Sequence, residues 1–236
     1  MKTKKVPKTF FIPQNNYEQF GLQVYNLLVD NFSKTFFVGG MIRDLLLHKK
    51  ISDIDITTSA TPEQVIKLLQ GSDYQLDSSH KSFGVIKVKS KTGGIEITTM
   101  RTEQYATSRY PKVKFTTSLL IDSKRRDFTA NSLYFQAKAN IIYDPQDGLQ
   151  DINKKQIKII SDPKTKLSED PLRIVRAYRF SKQLNFQFET KTKQALEKYF
   201  PLLKNISKSR IESEIKKSTN VTTKKYLQQK LKQLLI

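Results

Sequence analysis

The chain has 236 residues, 37% of them hydrophobic and 27% charged, which suits one or two domains with a buried core. It has no Cys and only two His, which excludes disulfides and Cys- or His-rich metal sites and makes a reducing cytoplasm the expected home. Lys and Arg number 42 against 22 Asp and Glu; the net charge of +20 attracts polyanions, nucleic acid foremost, although an A+T-rich genome also inflates Lys.

The basic start, Met1-Lys2-Thr3-Lys4-Lys5, is followed by no apolar stretch of about 7–15 residues, so no secretory signal is expected. No apolar run approaches the roughly 18 residues that cross a bilayer, so no membrane segment is expected either. Leu22, Tyr25, Leu28, Val29 and Phe32 form a helical stripe. Thr35 to Val38 reads as a strand, Gly39-Gly40 as a turn, and Met41 to Leu47 as a helix. Asp53 to Thr57 alternates polar and apolar residues, the period of a strand. Thr61-Pro62-Glu63 marks a helix start. Gly84 to Lys89 and Ile95 to Met100 read as strands joined by a Gly93-Gly94 turn.

After Asp151 the pattern changes. One strand, Gln156 to Ile160, precedes helical signals over Pro171 to Gln183, Thr190 to Phe200, Lys208 to Lys217 and Thr222 to Leu235. The division expected is an N-terminal arm and helix over 1–34, an α/β head over 35–160, and a helical part with a short basic end over 161–236. From Pro201 onward only Glu212 and Glu214 oppose a series of basic residues that includes Lys204, Lys208, Arg210, Lys216 and Lys217, which suggests a phosphate-facing surface.

Three local patterns carry chemistry. Gly39-Gly40 between strand and helix leaves backbone N–H groups open to a phosphate. A strand period of 2 puts Asp53 and Asp55 on one face, with Ile54 and Ile56 on the other. Paired carboxylates repel unless a cation sits between them, and Mg²⁺ takes such oxygen ligands together with phosphate oxygens. Glu96, between Ile95 and Ile97, would reach the same site if its strand neighbours that of Asp55; otherwise it is a surface Glu.

Asp170 and Arg173, three apart at a helix start, share a face. Asp accepts hydrogen bonds and Arg donates them. Cytosine and adenine each present an exocyclic amine beside a bare ring nitrogen, which this pair matches. Uracil and guanine present the reverse and would leave buried groups unpaired, a discrimination on the order of 10⁴-fold in good cases. The plain alternative is an i,i+3 salt bridge. Arg173, Arg176 and Arg179 stack like charges on one face, which calls for an anionic partner such as a triphosphate.

Together these residues resemble a known family. Gly39-Gly40-Met41-Ile42-Arg43-Asp44 followed by Asp53-Ile54-Asp55 resembles the signature of the polymerase β-like nucleotidyltransferases. Arg125-Arg126-Asp127-Phe128-Thr129-Ala130-Asn131 resembles a second motif, and Glu169-Asp170-Pro171-Leu172-Arg173 with Arg176 and Arg179 a third. In this order they resemble the class II tRNA nucleotidyltransferases, or CCA-adding enzymes, and their bacterial poly(A) polymerase relatives, from about Phe36 to Lys217. The resemblance implies an α+β fold: a polymerase β-like head with a small mixed sheet, then an all-helical neck. It also implies a cytoplasmic enzyme adding C and A from CTP and ATP to a tRNA 3′ end, with Mg²⁺ on Asp53 and Asp55. Gly40, Arg43 and Arg126 would contact the incoming nucleotide, and Asp127 would sit near the ribose. Asp170 and Arg173 would read the base, and Arg176 and Arg179 would complete the pocket.

Arg101 to Asp122 resembles the family's flexible loop, which helps the switch from C to A. Arg101, Glu103, Tyr105, Arg109, Pro111, Phe115 and Leu119 fit it. Thr107 and Tyr110 stand where the family carries an acid and a base, and Ile121 and Ser123 also differ. CC-adding, A-adding or poly(A)-adding activity is therefore the near alternative, and a catalytically decayed RNA-binding module the alternative of another class. Tyr105, Tyr110 and Phe115 are read as core rather than as base-stacking rings. Many family members carry further domains that grip tRNA. Here the basic helices from Lys204, a partner, or the missing part of a truncated gene would fill that role.

Overall fold

The computed structural model describes residues 1–105, 111–218 and 220–232. Thr107, Arg109 and Tyr110 of the loop, and the expected helix end up to Leu235, lie outside the described residues. The chain divides into two compact units: Met1–Arg126 with Ala130–Gly148, and Asp127–Thr129 with Leu149–Ile236.

The first unit is built on one mixed sheet. Its strands are β1 (Lys2–Lys5), β2 (Thr35–Val38), β3 (Asp55–Thr58), β4 (Gln75–Asp77), β5 (Val85–Ser90) and β6 (Gly93–Thr99). β7 (Arg101–Gln104) and β8 (Lys112–Phe115) form a separate hairpin, and β9 (Tyr134–Gln136) and β10 (Ile141–Asp144) return to the sheet. The eight-stranded order is β1-β10-β9-β2-β3-β6-β5-β4. It is larger than the small sheet expected, because short edge strands such as the wholly exposed β1 carry no apolar alternation to announce them.

Among the described residues this unit also holds the α-helices α1 (Asn16–Asn31), α2 (Gly40–Leu46), α3 (Pro62–Leu69) and α4 (Leu119–Lys124). Asn15 caps α1 by accepting from the Glu18 N–H, and α1 buries Phe20, Val24, Tyr25, Leu28 and Val29. The stripe therefore starts earlier than expected, with Leu22 half-buried and Phe32 as the C-cap. Tyr25 stacks on Phe37 of β2 at 4.4 Å between ring centroids, which fixes α1 on the sheet. Thr61 and Gln64 form the capping box of α3, with Pro62 in its first turn.

β5 and β6 form a hairpin in register Ser90↔Gly93, so Lys91 and Thr92 make the turn. Gly93 and Gly94 are not that turn; they are the first residues of β6. A side chain at Gly93 would come within 2.8 Å of the Tyr17 ring, so close approach explains this glycine.

The second unit holds α5 (Gly148–Asn153), which opens at its border, then α6 (Pro163–Glu169), α7 (Leu172–Leu184), α8 (Thr190–Tyr199), α9 (Lys208–Lys216) and α10 (Val221–Lys230). α7 packs against α6, α9 and α10 around buried Ile174, Val175, Ala177, Ile211 and Leu227. This unit is not wholly helical: β11 (Gln156–Ile157) pairs in parallel with β12 (Gln187–Phe188). That ladder, with Thr129 N–H on the Lys158 carbonyl and Ile160 N–H on the Asp127 carbonyl, binds residues 156–160 to the helices. By contacts, these residues group with the second unit, whose main segment begins at Leu149.

Candidate active site

In the first unit, β3 begins at Asp55, and Asp53 lies just ahead of the strand. The alternation still holds: Ile54 and Ile56 are buried, Asp53 is exposed and Asp55 half-buried. Asp55 stands across from Val38 of β2 and from Glu96 of β6. The sequence reading left Glu96 between strand neighbour and surface residue; the register puts it beside Asp55. Like charges directly across neighbouring strands are unfavourable without a cation. Lys87 of β5, across from Glu96 on its other side, offsets part of this.

Gly39 closes the site on the β2 side. Its φ of +83° lies in the left-handed region, and a Cβ there would sit 3.3 Å from Asp55 Oδ2. The turn before α2 thus approaches the carboxylate as only glycine allows. Arg43 does not reach outward from this turn. It is buried, donates from Nε and Nη2 to Asp44 and from Nη1 to Asn131 at 2.5 Å, and lies beneath Gly40. Its visible work is to brace the glycine turn.

Arg126 is held by two partners. Its Nε donates to the Tyr134 hydroxyl at 3.0 Å and its Nη2 to Asp122 at 3.2 Å. Asp122 is completely buried and also accepts from Arg125 Nε, the Tyr134 hydroxyl and the Arg101 N–H. Burial alone would raise its carboxyl pKa; Arg125, Arg126 and Tyr134 outweigh burial and hold it well below the usual range. Burial would likewise lower the Arg126 pKa, but Tyr134 and Asp122, with a contribution from Asp55, raise it. The side chain therefore stays charged within electrostatic range of Asp55.

The donors suit a hard cation: two carboxylates, a third alongside, and open backbone. Among the described residues no three His, Cys, Asp or Glu groups converge tightly enough to cage a metal. Mg²⁺ does not need a cage, since it keeps waters and takes phosphate oxygens as further ligands.

The second unit holds the other predicted residues. Asp127 accepts from the Phe128 N–H and, on Oδ2, from Arg176 Nε and Nη2 at 2.8 and 2.5 Å. Arg179 donates to Glu214 Oε1 at 2.8 Å and lies over the Phe180 ring. Arg176 comes within 3.8 Å of the same oxygen. Arg173 is buried and donates to the Lys166 carbonyl and to Glu169. The stacked arginines thus have protein carboxylates as partners, so their spacing does not by itself require a triphosphate.

Asp170 remains partly exposed between α6 and α7, accepting from the Leu172 N–H and from Arg210 Nη2 at 3.3 Å each. Arg210 and Glu214 were missed as site residues. Four apart on α9, with opposite charges, they read in sequence as a pair with each other. In the structure they serve the α7 end and stripe instead: Arg210 holds Asp170, and Glu214 holds Arg176 and Arg179. Phe115, read as core, is 41% exposed.

Comparison with known proteins gives a consistent picture. Residues 35–158 match the family model described as "Poly A polymerase head domain", and residues 185–218 the one described as "Probable RNA and SrmB- binding site of polymerase A". A CCA-adding enzyme of Lactobacillus helveticus is 39% identical over 92% of this chain and 52% of its own length. The structure of the Bacillus stearothermophilus CCA-adding enzyme in complex with CTP superposes with a TM-score of 0.75 at 33% identity, covering 86% of this chain and 48% of that one. A tRNA nucleotidyltransferase complexed with a primer tRNA and an incoming ATP analog gives 0.67 at 27% identity, over 85% and 57%. The chain spans about half the length of the curated relatives it matches.

Proposed function

The chain belongs to the family of poly(A) polymerase head domains, and on that premise we propose that it adds C and A nucleotides from CTP and ATP to the 3′ end of tRNA without a nucleic-acid template. The observation that carries this reading is Asp55, set against the Gly39 turn with Glu96 at its side and the charged Arg126 in electrostatic range. Similarity to enzymes described with CTP, with an ATP analog and with tRNA supports the choice of substrates.

Asp53 and Asp55, with Glu96 beside them, would hold the divalent cation, Mg²⁺ by donor type. Bound there, Mg²⁺ supplies the charge that lowers the pKa of the attacking 3′-hydroxyl and steadies the leaving pyrophosphate. Arg126 adds fixed positive charge for the triphosphate, aimed in advance by Asp122 and Tyr134. Gly40 leaves room for a phosphate at the α2 turn. Asp170 accepts from the exocyclic amine of C or A and Arg173 donates to the bare ring nitrogen, a pattern that U and G cannot meet. Arg176 and Arg179, fixed by Asp127 and Glu214, bring further charge to the nucleotide. The exposed lysines of residues 185–218 and beyond meet the RNA backbone. The expected compartment is the cytoplasm, in keeping with a Cys-free chain.

The deciding experiment incubates the protein with Mg²⁺, labelled CTP or ATP, and tRNA lacking its 3′ end. Addition of CCA supports the proposal. Addition of CC alone, A alone or long A tails keeps the chemistry and changes the product. Absence of any incorporation leaves an RNA-binding module and rejects the enzyme.

A further inference from the structure

The acid pair has a weakness. Asp53 precedes β3 and lies outside its ladders, and Asp55 is the strand's first residue, paired across to Val38 and Glu96 but with no ladder residue before it. Frayed carboxylates at a strand start lose the mutual placement that a metal site needs. The segment is nevertheless pinned at Ile54, between the two acids. Its carbonyl accepts from the Glu96 N–H at 3.4 Å. Its N–H donates to the Tyr17 hydroxyl at 3.0 Å. The same hydroxyl donates to the Gly94 carbonyl at 3.3 Å, at the start of the strand that carries Glu96.

Tyr17 is aimed by its surroundings. It is the second residue of α1, whose first turn is set by mutual Asn15 and Glu18 capping bonds. Gly21, one turn later on the same face, lies so close to Ile54 that a Cβ there would meet its Cδ1 at 2.6 Å. The ring lies over Gly93, where a Cβ would come within 2.8 Å of it. Burial, and then the neighbouring Asp53 and Asp55 charges, raise the phenol pKa, while the Ile54 N–H lowers it; the net shift is upward. The group therefore stays a neutral hydroxyl, able to accept from Ile54 and donate to Gly94 at once.

We infer that Tyr17 is a positioning residue for the metal-binding acids: its hydroxyl ties Ile54 to Gly94 and so fixes Asp53 and Asp55 beside Glu96. The inference rests on the reaction proposed above and extends it to a residue outside both matched segments. Its hydroxyl bonds run to the backbone of Ile54 and Gly94, so it acts through the chain between Asp53 and Asp55.

The test compares wild type, Tyr17→Phe and Gly93→Ala. Tyr17→Phe keeps the ring and removes the hydroxyl; Gly93→Ala keeps the hydroxyl and displaces the ring. Mn²⁺ binding in the presence of a non-hydrolysable CTP analogue is followed by electron paramagnetic resonance, alongside the Mg²⁺ dependence of incorporation and the melting temperature. Both variants should bind Mn²⁺ on the order of tenfold more weakly, the low end for outer residues of metal sites. Their incorporation should recover at high Mg²⁺, with nucleotide KM little changed. Wild-type metal affinity in a folded Tyr17→Phe overturns this inference alone, and a variant whose defect does not respond to Mg²⁺ shows a merely structural role and does the same. If the wild type itself binds no Mn²⁺ with nucleotide, the proposed reaction falls, and this inference with it.

Discussion

At the residue scale, each predicted side chain is found in company, and the company decides its role. Asp55 lies close to Gly39, where a positive φ and a 3.3 Å approach favour glycine, and stands beside a second carboxylate. Arg43, expected at the nucleotide, is buried and hydrogen-bonded to Asp44 and Asn131 beside the glycine turn. Two variants test the carboxylates and the base reader separately. Asp55→Ala should lower the incorporation rate by at least about 10³-fold with the melting temperature nearly unchanged, because it removes a ligand of the proposed cation whose charge would act on the reacting phosphate. A wild-type rate in single-turnover assays with Mg²⁺ would end its assignment as a ligand. Asp170→Ala should narrow the preference for CTP and ATP over UTP and GTP more than it weakens nucleotide binding, since discrimination comes from unpaired groups in the wrong base. Competition assays with mixed nucleotides read this directly, and unchanged preference would remove the base-reading role.

At the scale of elements, the regular parts of the chain were legible and the connecting parts were not. The strand Thr35–Val38 and the helices from Leu172, Thr190 and Lys208 stand within a residue or two of where period and caps place them. The strands β1, β4, β9 and β12 escaped because each has only two to four residues, too few for a period of 2 to register. The acid pair was legible because alternation alone sets its face. The partners of Arg126, Asp170 and Arg179 were not, because a buried ion pair links residues far apart in sequence. The α4 segment shows what was lost. Read as an irregular loop end, it carries Asp122, which joins Arg101 of β7 to Arg125, Arg126 and Tyr134. Its pKa is depressed in the folded state, so its stabilising effect is complete above the unfolded value of about 3.9 and fades as pH falls toward the lower folded value. Asp122→Asn should therefore cost about 3–5 kcal/mol near neutral pH, because the guanidiniums lose their buried counter-charge. The cost should shrink below about pH 4. Urea unfolding of both proteins from pH 7 to pH 3 measures this, and a pH-independent difference would mean that the carboxylate charge is not what holds the cluster.

At the scale of the whole molecule, the excess of positive charge is unevenly used. In the second unit Asp127 and Glu214 pair with arginines of α7, and Asp170 pairs with Arg210. Lys204, Lys208 and Lys216 remain exposed, all within the segment that matches the RNA-binding description. The α7 arginines are thus turned to protein carboxylates, and the exposed lysines are left to carry the field that, under the proposed function, an RNA backbone would meet. Replacing Lys204, Lys208 and Lys216 together by Gln should weaken tRNA binding while leaving CTP binding unchanged. The slope of log affinity against log salt should become shallower by about 0.7–0.9 for each phosphate contact removed. Fluorescence anisotropy with labelled tRNA across a range of KCl concentrations measures both quantities. A triple variant with the wild-type slope would show that these lysines face solvent rather than RNA, and that the grip comes from elsewhere on the chain or from a partner.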